Sequence, residues 1–212
     1  MLNIKTFVFS PFDVNTFVVW DDGSKECAVI DPGCYSDEEK NSLAKFIAEK
    51  ELRVKYLFNT HCHIDHIFGN AFVKEKFNPQ FLIPKEDLFL LEMGKEQGRM
   101  FNLDLDEQPK PDDFFSEEET LSVGNLSFSF LFTPGHTPGE FCFYAEKENI
   151  CFTGDVLFKE GIGRTDLWGG NYETLITSIE KKLLTLPEDV KIFPGHGEQS
   201  TIGYEKINNP FF

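Results

Sequence analysis

Between Asn59 and Asn70 the chain reads NTHCHIDHIFGN, which places three of its five histidines and an aspartate within His61 to His66. Neutral imidazole and carboxylate are donors that suit divalent first-row metals such as zinc, iron or manganese, with no thiolate required. The other two histidines, His136 and His196, and the isolated Asp155 lie far along the chain in TPGH, FPGH and FTGD. In each case a hydrophobic run ends, a glycine permits a tight turn, and a donor side chain follows. A lone histidine is more often an ordinary core or surface residue than a ligand. Here all five follow a strand-like run, which reverses that balance. The seven donors His61, His63, Asp65, His66, His136, Asp155 and His196 exceed the four of a tetrahedral site, so two cations sharing Asp155 are the economical expectation. In an extended loop His61 and His63 project to one side and can serve one cation, while Asp65 and His66, where a helix begins, can face the other. His136 should complete the first set and His196 the second, although spacing alone does not fix this. Asp65 could also cap the helix, and Cys62 is expected to be inert.

These donors need strands that end together. KTFVF, NTFVVW and ECAVIDPG read as three strands of a meander. Ser36 and Glu39 form a capping box ahead of EEKNSLAKFIAEKE, where Leu43, Phe46 and Ile47 recur at helical spacing, and VKYLFNT follows as a strand. Ile67 to Phe77 predicts one short helix and QFLIP a further strand. Lys85 to Phe115, first rich in Leu and Met and then in turn formers, has no obvious place in a sheet and is expected to run over the surface beside the site. Alternation resumes in TLSVGNLSFSFLF, with Leu126, Phe128, Phe130 and Phe132 on one face, and continues antiparallel through GEFCFYAE and NICFTGD. Asn171 should cap YETLITSIEKKLLTL, with Leu175, Ile179 and Leu183 as its buried stripe, before a last strand VKIF. This order predicts an α/β fold, a four-layer αββα sandwich of two mixed sheets with helices on the outer faces, in one domain spanning residues 1–212.

Composition bounds the partners. A net charge of -16 with no basic run argues against a nucleic-acid partner. The amino terminus MLNIKTFVFSPFDVN lacks the basic start and apolar stretch of a secretory leader, and no apolar run approaches the ~20 residues that span a bilayer. No membrane association and a cytoplasmic location are therefore expected. Five cysteines without a CxxC pair read as free thiols in a reducing compartment.

Together HCHIDH, TPGHTPG, FTGD and FPGHG resemble the metallo-β-lactamase fold superfamily over almost the whole chain. The resemblance implies the αββα fold, one cation on His61, His63 and His136, a second on Asp65, His66 and His196, and Asp155 bridging. Gly154 to Leu167, GDVLFKEGIGRTDL, is similar to the glyoxalase II group of hydroxyacylglutathione hydrolases, particularly its short single-domain relatives. It implies hydrolysis of a small thioester or ester by a metal-bridging hydroxide, with two divalent ions, zinc foremost, and with Asp65 and Asp155 as catalytic residues. Arg164 stands where that group carries a basic residue that helps hold glutathione, although pairing with Asp166 explains it equally well. Lys159 could join Arg164 in offsetting an anionic substrate. Two departures separate thioester chemistry from glutathione specificity: the chain ends soon after His196, without the helical extension of full-length glyoxalase II, and GHGEQS lacks the tyrosine of that group. A mononuclear iron persulfide dioxygenase of the same superfamily shares the GRTD-like ending, and a lactonase or β-lactamase is a further alternative. β-Lactamases generally lack the bridging aspartate.

Overall fold

The computed structural model describes residues 2–212. The first half forms one six-stranded sheet from β1 (Leu2–Phe9), β2 (Val14–Asp21), β3 (Glu26–Ile30), β4 (Arg53–Phe58), β5 (Gln80–Ile83) and β6 (Asp113–Phe114), arranged in that order. β1, β2 and β3 pair antiparallel, as a meander must, whereas β3 to β6 run parallel, so the sheet is mixed. The crossovers carry helices α1 (Asp37–Glu49), α2 (Ile64–Ile67), α3 (Asn70–Phe77), α4 (Leu88–Glu92) and α5 (Gly94–Met100). The capping box that opens α1 forms: Glu39 N–H donates to Ser36 Oγ at 3.2 Å and Ser36 N–H to Glu39 Oε2 at 2.9 Å.

The second half forms another six-stranded mixed sheet from β7 (Thr120–Val123), β8 (Leu126–Phe132), β9 (Phe141–Ala145), β10 (Ile150–Gly154), β13 (Lys191–Pro194) and β14 (Ser200–Thr201), in that order across the sheet. A small hairpin, β11 (Leu157–Phe158) with β12 (Gly161–Ile162), follows β10. α6 (Tyr172–Ser178) and α7 (Ile202–Asn208) complete the chain. Asn171 caps α6, accepting from Thr174 N–H at 2.9 Å. The predicted single helix beyond it changes to a π turn over Ile179–Leu183.

Period-two alternation sorts the strand residues into three apolar layers. Phe17, Val19, Ala28, Ile30 and Phe58 of the first sheet meet Phe128, Phe130, Phe143, Phe152 and Phe193 of the second in the central layer. Their neighbours Val18, Trp20, Cys27 and Val29 turn the other way, onto Leu43 and Ile47 of α1. Cys142, Tyr144, Cys151 and Ile192 face outward onto Leu175, Ile179 and Leu183. The expected αββα layering follows directly. Phe58 meets Phe143 edge-on at 5.6 Å between centroids, one of several inter-sheet aromatic pairs worth about 0.5–1.5 kcal/mol each beyond burial.

Two local expectations are corrected. The helix predicted over Ile67 to Phe77 is two helices, because Gly69 lies against Cys34 Sγ and the Pro32 carbonyl, where a Cβ would come within 2.4 Å and 2.7 Å, and the chain bends there. The excursion from Lys85 does return to the sheet: Asp113 and Phe114 pair parallel with Leu82 and Ile83.

Candidate metal centre

β8 and β10 are both antiparallel to β9, and β13 is parallel to β10, so all three end at the same edge of the second sheet. The turns at that edge carry His136, Asp155 and His196. At the matching edge of the first sheet, β4 ends into Asn59, Thr60 and His61. The two edges are tied together: Phe141 N–H donates to Thr60 O at 3.0 Å, and Asn15 N–H to Gly195 O at 2.7 Å. Asn15 also donates its side-chain amide to Pro194 O and Gly197 O, which fixes the loop carrying His196. The turn glycines are forced by space and by backbone. A Cβ on Gly195 would lie 2.2 Å from Asp155 Oδ1, and Gly135 has φ +138 with Leu175 backbone 2.3 Å from where its Cβ would be.

All seven sequence-predicted donors converge. Their ligand atoms fall into three mutually close groups, His61, His63 and His136; His61, His66 and Asp155; and Asp65, His66 and His196, each within 4.8 Å. His63 Nδ1 lies 2.8 Å from His136 Nε2. Asp155 reaches both ends: Oδ1 is 3.4 Å from His66 Nε2, and Oδ2 is 3.6 Å from both His136 Nε2 and His196 Nε2. Asp65 Oδ2 is 3.1 Å from His196 Nε2. Asp65 lies inside α2, whose cap residue is His63, so the expectation that Asp65 caps this helix is not met.

Groups outside the predicted donor set stand behind three of the imidazoles. His136 Nδ1–H donates to Arg164 O at 2.7 Å. His66 Nδ1 faces Asp31 Oδ2 at 3.0 Å, and His61 Nδ1 faces Thr60 Oγ at 3.2 Å and Glu140 Oε1 at 3.4 Å. Nδ1 of His136 and of His61 is hydrogen-bonded and that of His66 faces a carboxylate, which leaves the three Nε2 atoms toward the cluster, the arrangement by which a carboxylate or carbonyl behind a histidine sets its tautomer for a metal. His61 Nε2, His66 Nε2 and Asp155 Oδ1 are buried without a hydrogen-bond partner. Each such orphan costs about 1–3 kcal/mol, and coordination to a cation would satisfy all three, so the donors fit divalent metal.

Burial and neighbouring charge divide the cluster. Burial, followed by the other histidines, depresses His61 strongly and brings His63 down to about 3. Burial also outweighs Asp155 at His136 and lowers it. At His66 burial is overcome by Asp155, Asp65 and Asp31, and at His196 by Asp65 and Asp155, so both are raised. Only the His66 and His196 end of the cluster favours positive charge.

A cavity of about 400 Å³ opens onto this cluster, lined also by Phe12, Gln97, Phe101, Phe158, Arg164 and Trp168. The excursion after Lys85 thus does border the site, through Gln97 of α5 and Phe101 just after it. Arg164 is there, but its guanidinium grips Asp166 through two bonds of 2.7 and 2.8 Å. Lys159 is not at this cavity, contrary to expectation. It occupies the tip of the β11–β12 hairpin, paired with Glu198 at 2.6 Å, on a separate groove with Gln199 and Tyr204. Cys62 is fully buried, and burial pushes its thiol far up, as an inert residue requires.

The model of the metallo-beta-lactamase superfamily matches residues 10–196. The chain belongs to this superfamily. It is a metallo-hydrolase, 42% identical over 212 residues to the hydroxyacylglutathione hydrolase GloC of Haemophilus influenzae, covering 99% of this chain and 98% of that protein. Among solved structures, the B3 metallo-beta-lactamase BLEG-1 superposes with a TM-score of 0.90 at 34% identity, over 99% of each chain. TTHA1623 in a di-iron-bound form gives 0.88 at 31% identity, over 98% of this chain and all of that one. Within this metallo-beta-lactamase frame, Asp31 carried a sequence signal: it follows strand β3 in VIDPG, the same strand-end device as Asp155. Glu140 directly follows TPGHTPG and could have been suspected. Gln97 gave no signal.

Proposed function

We propose that this chain hydrolyses small thioesters or esters in the manner of glyoxalase II, with His61, His63 and His136 holding one divalent cation, Asp65, His66 and His196 a second, and Asp155 shared. The observation that carries the assignment is Asp155, whose carboxylate reaches His136 of the first set and His66 and His196 of the second. Bound divalent cations, zinc foremost, would supply an acidified water and polarise the acyl carbonyl. The chain's part is to aim the donors: Thr60 and the Arg164 carbonyl hold His61 and His136 by hydrogen bonds, Glu140 and Asp31 stand behind His61 and His66, and Asp65 and Asp155 are the residues proposed to orient the attacking water. Water oxygen joins the acyl carbon, the C–S bond breaks, and the thiolate leaves and takes up a proton. Outside the cluster the cavity offers no group that titrates near neutrality, which suits a thiolate of parent pKa about 8.5, able to leave without a strong acid, better than an amine.

The test is metal analysis of the purified protein coupled to assays on lactoylglutathione, a lactone and a cephalosporin. Two equivalents of metal with thioester turnover are expected. Turnover of the cephalosporin alone would overturn the proposal and favour the reading suggested by the likeness to BLEG-1. The di-iron relative supports iron as an alternative metal, and one iron per chain with oxygen uptake on a persulfide would instead mark a dioxygenase.

A further inference from the structure

Resting on the thioester reading, we infer that the substrate's thiol half is uncharged and apolar, held against an aromatic wall, rather than a glutathionyl group. The cavity wall beyond the metal-donor cluster is built from chain segments far apart in sequence: Phe12 before β2, Phe101 after α5, Phe158 on β11, and Trp168 after the GRTD stretch. Phe12 packs edge-on against Phe101 at 5.2 Å, Trp168 lies 6.1 Å from the His63 ring, and Phe158 lies 6.4 Å from that of His196. Aromatic surface therefore flanks both ends of the cluster. Phe101 remains 40% exposed, an apolar face with room for a ligand group.

The polar groups of this wall are already committed. Gln97 is fully buried, accepts from Ile64 N–H at 3.0 Å, and donates to Cys62 O and Leu90 O at 3.1 and 2.7 Å. Its amide braces the HCHID turn, with both of its N–H donors committed to backbone carbonyls. Arg164 supplies the one Lys or Arg side chain among the described cavity-lining residues, and it is paired with Asp166 at the exposed rim rather than turned into the cavity wall's aromatic face. Lys159, the other cation expected to meet an anionic substrate, faces a different groove with Glu198. A glutathionyl group brings two carboxylates and an ammonium that would have to be stripped of water against phenylalanine and tryptophan, whereas an aryl or branched alkyl thiol gains from the same burial.

The experiment holds the acyl group constant as lactoyl and varies the thiol among glutathione, N-acetylcysteamine and benzyl mercaptan, comparing kcat/KM. The benzyl thioester is expected to exceed the neutral cysteamine ester by about tenfold, with the glutathione ester lowest. Phe101→Ala and Trp168→Ala should each reduce the benzyl-to-cysteamine ratio severalfold, and thermal melts check that both variants are folded. Equal or better turnover of the glutathione ester, or a ratio unmoved by both variants, overturns the inference. Binding of a benzyl thioether and of S-benzylglutathione, measured by calorimetry on the metal-loaded protein, separates the two proposals. Preference for the simple thioether with no thioester turned over would refute the reaction and support the wall; preference for S-benzylglutathione would refute the wall.

Discussion

The two ends of the donor cluster are unlike. His61, His63 and His136 form a corner of three imidazoles, deep in the protein, whose neutral forms burial enforces. Asp65, His66 and His196 form a corner in which carboxylates outweigh burial and favour positive charge. Each corner has its own buried carboxylate behind it, Glu140 from the second sheet for His61 and Asp31 from the first for His66. The difference teaches that two sheet edges brought together can present two donor environments of different charge within a few ångströms, joined by a single aspartate.

Removing that aspartate should have the largest effect. Asp155→Ala is expected to lower metal affinity at both corners by more than the roughly 100-fold ceiling of losing an outer partner, read as metal per chain after dialysis. Full retention at either corner would break the claim that they share it.

The three-imidazole corner also has a brace beneath it. Asp87 accepts from Thr137 Oγ at 2.8 Å, Gly139 N–H at 2.7 Å and Cys62 N–H at 3.2 Å, tying the two loops that carry its histidines. Burial nevertheless raises its carboxyl from the ordinary 3.8 to about 6. The folded protein therefore binds a proton that the unfolded chain has released. From this group, stability falls as pH rises from about 4 to about 6, by about 3 kcal/mol, and the cost is complete above that window. Asp87→Asn should abolish that slope. The difference between wild-type and variant melting curves across pH 4 to 7 measures it, and an unchanged difference would show that Asp87 is ionised throughout.

Glu140→Gln and Asp31→Asn sharpen the comparison itself. Each should weaken metal retention by about 10–100-fold, Glu140→Gln at the first corner and Asp31→Asn at the second. Stepwise cobalt titration followed by absorbance distinguishes them. Loss in the same step for both variants would mean that the corners are not separate. The smallest effect belongs to Asn171, which caps α6 behind the His136 turn: Asn171→Ala should cost about 1 kcal/mol of stability in denaturant melts, with metal content unaltered.

Much of the layering was legible because strand alternation is a local property. Phe17 and Val19 against Val18 and Trp20, or Phe143 against Cys142 and Tyr144, already divide two apolar faces in the sequence. The break at Gly69 was hidden, since Cys34 and Pro32, which demand it, come from another segment. The outward position of Lys159 was hidden as well, because the hairpin pairing of Phe158 with Gly161 sets it.

The sequence by itself determined the donors and their positions after strand-like runs, since residue type and local periodicity are written in the chain. Tertiary structure decided which donors meet, which buried carboxylates stand behind His61 and His66, and which acidic partners Arg164 and Lys159 find. Those outcomes depend on the relative directions of strands distant in sequence and on burial, which shifts each group's charge only once the two sheets have closed over it.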